Sequence, residues 1–160
     1  MFEKTFKTVC SALSESGIQF AVAGTVAAQL YRDTVQATAN LSFLVAKTDR
    51  TILVCLDLFK AFDLLPFVST SFENDFEDRK PYLLKGKVPP VLTGRSALSF
   101  STVNLGFIFP DSPWFESALF RAQHNKPELN GILVPVLTVE DVIISKLYNL
   151  TLAASPLDED

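Results

Sequence analysis

Phe20-Ala21-Val22-Ala23-Gly24-Thr25-Val26-Ala27-Ala28 is the stretch on which the fold turns. With Ile18 and Gln19 before it, its first half is a short apolar run of the kind that forms a buried strand. Gly24-Thr25 then turns the chain, and Val26 to about Tyr31 reads as a helix. A strand that passes through a glycine turn into a helix belongs to an α/β protein, in which sheet and helices share one core.

The flanking segments extend this reading in both directions. Before it, Phe2, Phe6, Val9, Cys10 and Leu13 recur at helical spacing, and Gly17 is a natural stop. After it, Leu41-Ser42-Phe43-Leu44-Val45-Ala46 is a second strand. Thr48 is an N-cap for a helix with Ile52, Cys55, Leu56, Phe59 and Phe62 on one side. Residues 66–95, rich in charge and proline, read as short strands joined by loops. A long strand is expected from Ala97 to Phe109. Pro110-Asp111-Ser112-Pro113 then opens a helix in which Trp114 and Phe115 are packing anchors. Ile132 to Leu137 reads as a β segment. Thr138 with Asp141 resembles a capping box for a last helix bearing Val139, Ile143, Leu147 and Leu150. The expected fold is a mixed β-sheet flanked by helices, formed by residues 1–160 as one domain.

Composition narrows the function classes. The 160 residues are 48% hydrophobic and 20% charged, which suits one core. With 14 phenylalanines against one tryptophan and three tyrosines, the aromatic side chains are mostly core filler. No apolar run reaches the roughly 20 residues of a membrane span, and the polar N-terminus is unlike a signal peptide, so a cytoplasmic address is expected. A net charge of −4 argues against an extensive nucleic-acid footprint, although Arg79, Lys80, Lys85 and Lys87 form a local basic group. Cys10 and Cys55 sit among apolar neighbours and read as buried structural thiols. The single histidine, His124, has no companion at ligand spacing, which argues against zinc.

The order of elements, with a set of single letters, resembles the nucleotidyltransferase superfamily that includes DNA polymerase beta. The similarity is greatest to its minimal, AbiEii-like bacterial branch, known from toxin–antitoxin pairs. It is carried by residues 20–28, by Thr38-Ala39-Asn40-Leu41-Ser42-Phe43-Leu44-Val45, by Leu105-Gly106-Phe107-Ile108-Phe109, and by Val134 to Asp141 followed by Ile144-Ser145-Lys146-Leu147. The resemblance implies a glycine turn at Gly24-Thr25, with Thr38 and Lys146 as further nucleotide-facing candidates. It also implies two metal-binding carboxylates on one strand and a third on a neighbouring strand, which together hold Mg²⁺ and clamp a phosphoryl group. At the matching positions this chain has Asn40, Ser42 and Gly106, and Gln36 stands where the family has arginine.

Those replacements set the functional expectation. Side chains two apart on a strand share a face, so Asn40 and Ser42 are expected side by side, with Gly106 on an adjacent strand. No carboxylate remains at these positions to hold Mg²⁺, so no catalytic residue, metal or cofactor is assigned. Gly24-Thr25 is either a phosphate cradle or only a tight turn. Lys146 is either a nucleotide contact or a solvated helix lysine. The acids between Glu73 and Asp78 read as a solvated loop rather than relocated ligands. The expected function is a degenerate nucleotidyltransferase-fold domain that binds a nucleotide or a protein partner without metal-dependent transfer. The alternative is an active enzyme that moves a nucleoside monophosphate onto protein or RNA with Mg²⁺. The ending, Ser155-Pro156-Leu157-Asp158-Glu159-Asp160, resembles the start of an acidic segment that in the family leads into further helix, so that, by the resemblance, either this protein is trimmed relative to the family or the present chain is.

Overall fold

A computed structural model describes residues 2–32, 40–68, 71–72, 91–95, 103–109 and 112–154. Gln36, Thr38, the acids at 73–78 and the basic group at 79–87 therefore lie outside the described residues. So do residues 97–102 of the expected 97–109 strand and the ending at 155–160.

The first helix, α1 (Phe2–Glu15), forms because its apolar residues recur on one face. Phe6, Val9, Cys10 and Leu13 are buried, while the Glu3–Lys7 ion pair spans one turn of the outer face at 3.0 Å. Gly17 ends it in a left-handed conformation with φ 69°. Its N–H donates to Ser14 O at 3.0 Å and that of Ile18 to Leu13 O at 3.0 Å, which satisfies two of the helix's last carbonyls.

Strand β1 (Phe20–Ala23) runs directly into α2 (Gly24–Gln29). Next come β2 (Asn40–Val45) and α3 (Asp49–Ala61), the latter capped by Thr48, whose hydroxyl accepts from Thr51 N at 3.1 Å. Strands β3 (Leu65–Val68), β4 (Ser71–Phe72), β5 (Val91–Arg95) and β6 (Asn104–Ile108) complete the main sheet. Its six strands lie in the order β1-β2-β6-β5-β3-β4. Among these strands only the β2–β6 pair is parallel, and the other neighbours are antiparallel, so the sheet is mixed.

Helix α4 (Pro113–Ala122) follows, then a small hairpin of β7 (Glu128–Leu129) and β8 (Ile132–Leu133), then α5 (Val139–Ala154). The single β segment expected over 132–137 is instead broken in two. Pro135 has no N–H to continue a ladder. Its carbonyl accepts from Val22 N at 2.8 Å, and Leu137 N donates to Val22 O at 3.0 Å, so the segment extends the sheet beside β1. No helix among the described residues is long and apolar enough to cross a membrane.

One face of the sheet is a phenylalanine layer. Phe6 of α1 stacks on Phe43 at 6.3 Å between ring centroids, Phe43 on Phe107 at 6.1 Å, and Phe59 of α3 tilts over Phe107 at 5.6 Å. Gly94 lies beneath the Phe59 ring, where an added β-carbon would sit 2.5 Å from ring atom Cδ1. Phe59 is fully buried and cannot swing away. Gly94→Ala should therefore destabilise the domain by about 1–3 kcal/mol, the usual cost of overpacking a core. Urea unfolding of parent and variant measures it, and an unchanged midpoint would refute the packing described.

Candidate functional site

The opposite face of the sheet carries the residues that the resemblance singles out. Alternation along β2 places Leu41 and Phe43 in the core and turns Asn40 and Ser42 to the other side. In the parallel β2–β6 pairing Ser42 stands opposite Gly106 and Asn40 opposite Asn104. Thr93 of β5 faces Gly106 from the far side. The structure thus brings the three expected positions together: a β-carbon at Gly106 would lie 3.6 Å from Ser42 Oγ and 3.9 Å from Thr93 Oγ1.

Gly24 closes the cluster. Its φ of 62° is accessible mainly to glycine, and a β-carbon there would lie 3.2 Å from Ser42 Cβ. Both conformation and close approach therefore call for glycine at this turn. Ser42 is packed against it, which leaves the turn less open than a phosphate cradle requires. Helix α2 is only six residues long, so its aligned peptide dipoles are few. Thr25 is half-buried at the start of α2, and Lys146 is half-buried on α5, an element that packs against α2.

The cluster is electrically neutral. The Asn104 amide donates to Asn40 Oδ1 at 3.1 Å, so the two asparagines engage each other across the strands. Neutral amide and hydroxyl oxygens, with no carboxylate among them, do not fit the hard, charged coordination that Mg²⁺ demands. Among the described residues no group of three or more His, Cys, Asp or Glu side chains stands together. Cys10 and Cys55 are buried, and burial pushes the Cys10 thiol up to about 12 and raises that of Cys55 too, so neither is poised as a nucleophile.

A second polar constellation, which the sequence reading missed, lies where α4 meets the start of α5. Asp141 is 1% exposed yet charged. Arg121 grips it with both arms, Nε to Oδ2 at 2.9 Å and Nη2 to Oδ1 at 2.6 Å, and the Thr138 hydroxyl donates to Oδ2 at 2.9 Å. Burial alone would raise the Asp141 carboxyl. The hydrogen bonds from Arg121 and Thr138, with the guanidinium charge, outweigh it and hold the group below its ordinary value. The buried Trp114 indole N–H makes no hydrogen bond of sound geometry, yet it lies close enough to favour the charged carboxylate. The expected Thr138–Asp141 cap is thus present, with Asp141 N donating to Thr138 Oγ1 at 3.3 Å. The sequence carried no clear signal for the rest, since an acid in the first turn of a helix is accounted for by the cap and the helix dipole alone.

Beside this pair is an open cavity of about 460 Å³, walled by Tyr31, Phe120, Arg121, His124, Asn125 and the first residues of α5. The Tyr31 hydroxyl donates to Leu137 O at 2.8 Å and accepts from the Asn125 amide at 3.0 Å, which ties the end of α2 to the segment before α5. His124 packs edge-on against Phe120 at 5.3 Å. No family model matches the chain, and none of the curated proteins matches it either.

Proposed function

We infer that this chain is a nucleotidyltransferase-like domain that does not carry out metal-dependent transfer and works as a protein-interaction module. The observation that carries this reading is the neutral cluster: Asn40, Ser42 and Gly106 stand in register on adjacent strands, and none is a carboxylate. A two-metal transferase needs charge at that place to bind its ions and to activate the attacking hydroxyl. Between the two binding roles, protein is favoured over nucleotide. Ser42 packs into the Gly24 turn where a phosphate would approach, whereas large apolar side chains lie exposed on α4 and α5.

The test is a transfer assay with each of the four labelled nucleoside triphosphates, with Mg²⁺ or Mn²⁺, on the chain itself, on other protein and on RNA. Label at background is the expected result. Metal-dependent labelling that disappears when acidic residues of this chain are replaced would overturn the reading and establish an active transferase.

A further inference from the structure

Of the six asparagines in the chain, only Asn130 is followed by glycine. Asn130 and Gly131 form the two-residue turn between β7 and β8, whose register pairs Leu129 with Ile132. Both are left-handed, with φ 50° and 83°, as in the type I′ hairpin turn for which Asn-Gly is the favoured pair. Both are exposed, and neither the Asn130 amide nor the Gly131 N–H has a hydrogen-bond partner among the described residues.

This pair of residues can react with itself. Attack of the Gly131 backbone nitrogen on Asn130 Cγ closes a five-membered imide. The new C–N bond replaces the bond to the side-chain nitrogen, which takes up the Gly131 proton and leaves as ammonia. Water then adds to either imide carbonyl and reopens the ring, giving aspartate or an isoaspartyl linkage. Nothing is oxidised, and water is the only co-reactant. Glycine favours the attack because it has no β-carbon to crowd the nitrogen. The closed turn does not permit it, since at the small positive ψ of a type I′ turn Asn130 Cβ points away from the Gly131 nitrogen. The hairpin is built so that its tip can open. Each strand has only two residues, and a hairpin this short has little stability of its own. Its attachments lie at the base, where Val134 N donates to Pro127 O at 3.2 Å and Val136 N to Asn125 O at 3.0 Å. The tip can therefore unpair while the base stays joined.

We propose that Asn130 is a site of spontaneous covalent modification, deamidating through the opened β7–β8 turn to aspartate and isoaspartate. The product adds one negative charge to a chain of net −4, at a turn where a Gly131 β-carbon would lie 4.0 Å from Lys7 Nζ. Aspartate can re-form the turn. The isoaspartyl form cannot, because its extra backbone carbon breaks the two-residue register. The inference is independent of the transfer reading above.

The experiment incubates the native chain in warm neutral buffer beside the same chain in urea, with digestion and sequencing by mass spectrometry over time. The mass gain of an amide turned acid should appear at Asn130 in both samples, faster in urea. In the native chain Asn40, Asn104 and Asn125, followed by leucine, leucine and lysine, should remain amides. An isoaspartyl methyltransferase should label the native sample in step with the mass change. Asn130→Gln, whose ring would need one more atom, should lose both signals. Conversion in urea with Asn130 intact in the native chain would mean that the turn stays shut. An intact Asn130 in both, or a label that survives Asn130→Gln, would mean that the imide does not form there. Each of these results overturns the proposal.

Discussion

The triple variant Asn40→Asp, Ser42→Asp, Gly106→Asp is expected to lose several kcal/mol of stability in a chelator and to regain much of it in Mg²⁺. Ser42 and Gly106 are paired on adjacent strands, and a β-carbon at Gly106 makes only ordinary contacts, so adding a side chain at that position is tolerated at its β-carbon. The cost is electrostatic. Gly106 is buried, and an uncompensated buried charge typically costs about 3–5 kcal/mol. Like charges on neighbouring positions add to it. A cation that binds only the folded state opposes this by mass action, by about 2.7 kcal/mol at a hundred times its dissociation constant. Melting curves in chelator and in millimolar Mg²⁺, for parent and variant, measure both changes, and Gly106→Ala serves as the steric control. A variant that folds and melts identically in the two buffers would show that these positions cannot form one metal site. It would also remove the reason for reading their neutrality as lost chemistry.

Arg121→Ala should destabilise the domain by about 2–3 kcal/mol at neutral pH. Removing one partner of a buried pair leaves the other charge unpaired, which costs up to about 5 kcal/mol when both are buried. The Arg121 side chain is 45% exposed, so water already screens part of the interaction, and the lower figure applies. The pH dependence identifies the cause. In the parent the folded Asp141 carboxyl titrates below its ordinary value, so its contribution is complete above about pH 4 and is lost as the pH falls through the folded value. Without Arg121, burial is opposed mainly by Thr138 and raises the carboxyl instead. The folded variant then binds a proton more readily than its unfolded chain. The stability gap should be widest near neutrality and close as the pH falls towards 4 and below. Denaturant midpoints measured across that range give the gap directly, and one that does not change with pH would mean that Arg121 acts through packing rather than charge.

Much of the site's placement was legible beforehand because it follows from local rules. The alternation of a strand puts Asn40 and Ser42 on one face whatever surrounds them. The neutral letters at 40, 42 and 106 need no structure to be read. That Gly106 stands beside Ser42 was an expectation drawn from resemblance, and it took the parallel β2–β6 register to make it a distance. The Arg121–Asp141 pair was not legible, since residues twenty apart on different helices are joined only by packing.

By itself the sequence determined α1, β1, β2, α3, the caps at Thr48 and Thr138 and the stop at Gly17, because periodicity, capping and glycine act over a few residues. The tertiary structure decided the rest. It set the strand order, with β6 inserted beside β2, and packed Ser42 into the Gly24 turn. It split the 132–137 segment at Pro135 so that Val136 could pair with Val22. It also decided which side of α5 faces out. Val139, Ile143 and Leu147 have the spacing of a core stripe, and spacing cannot tell an inner face from an outer one. The Arg121–Asp141 clamp holds the opposite side of the helix inward, and this leaves the apolar stripe on the surface.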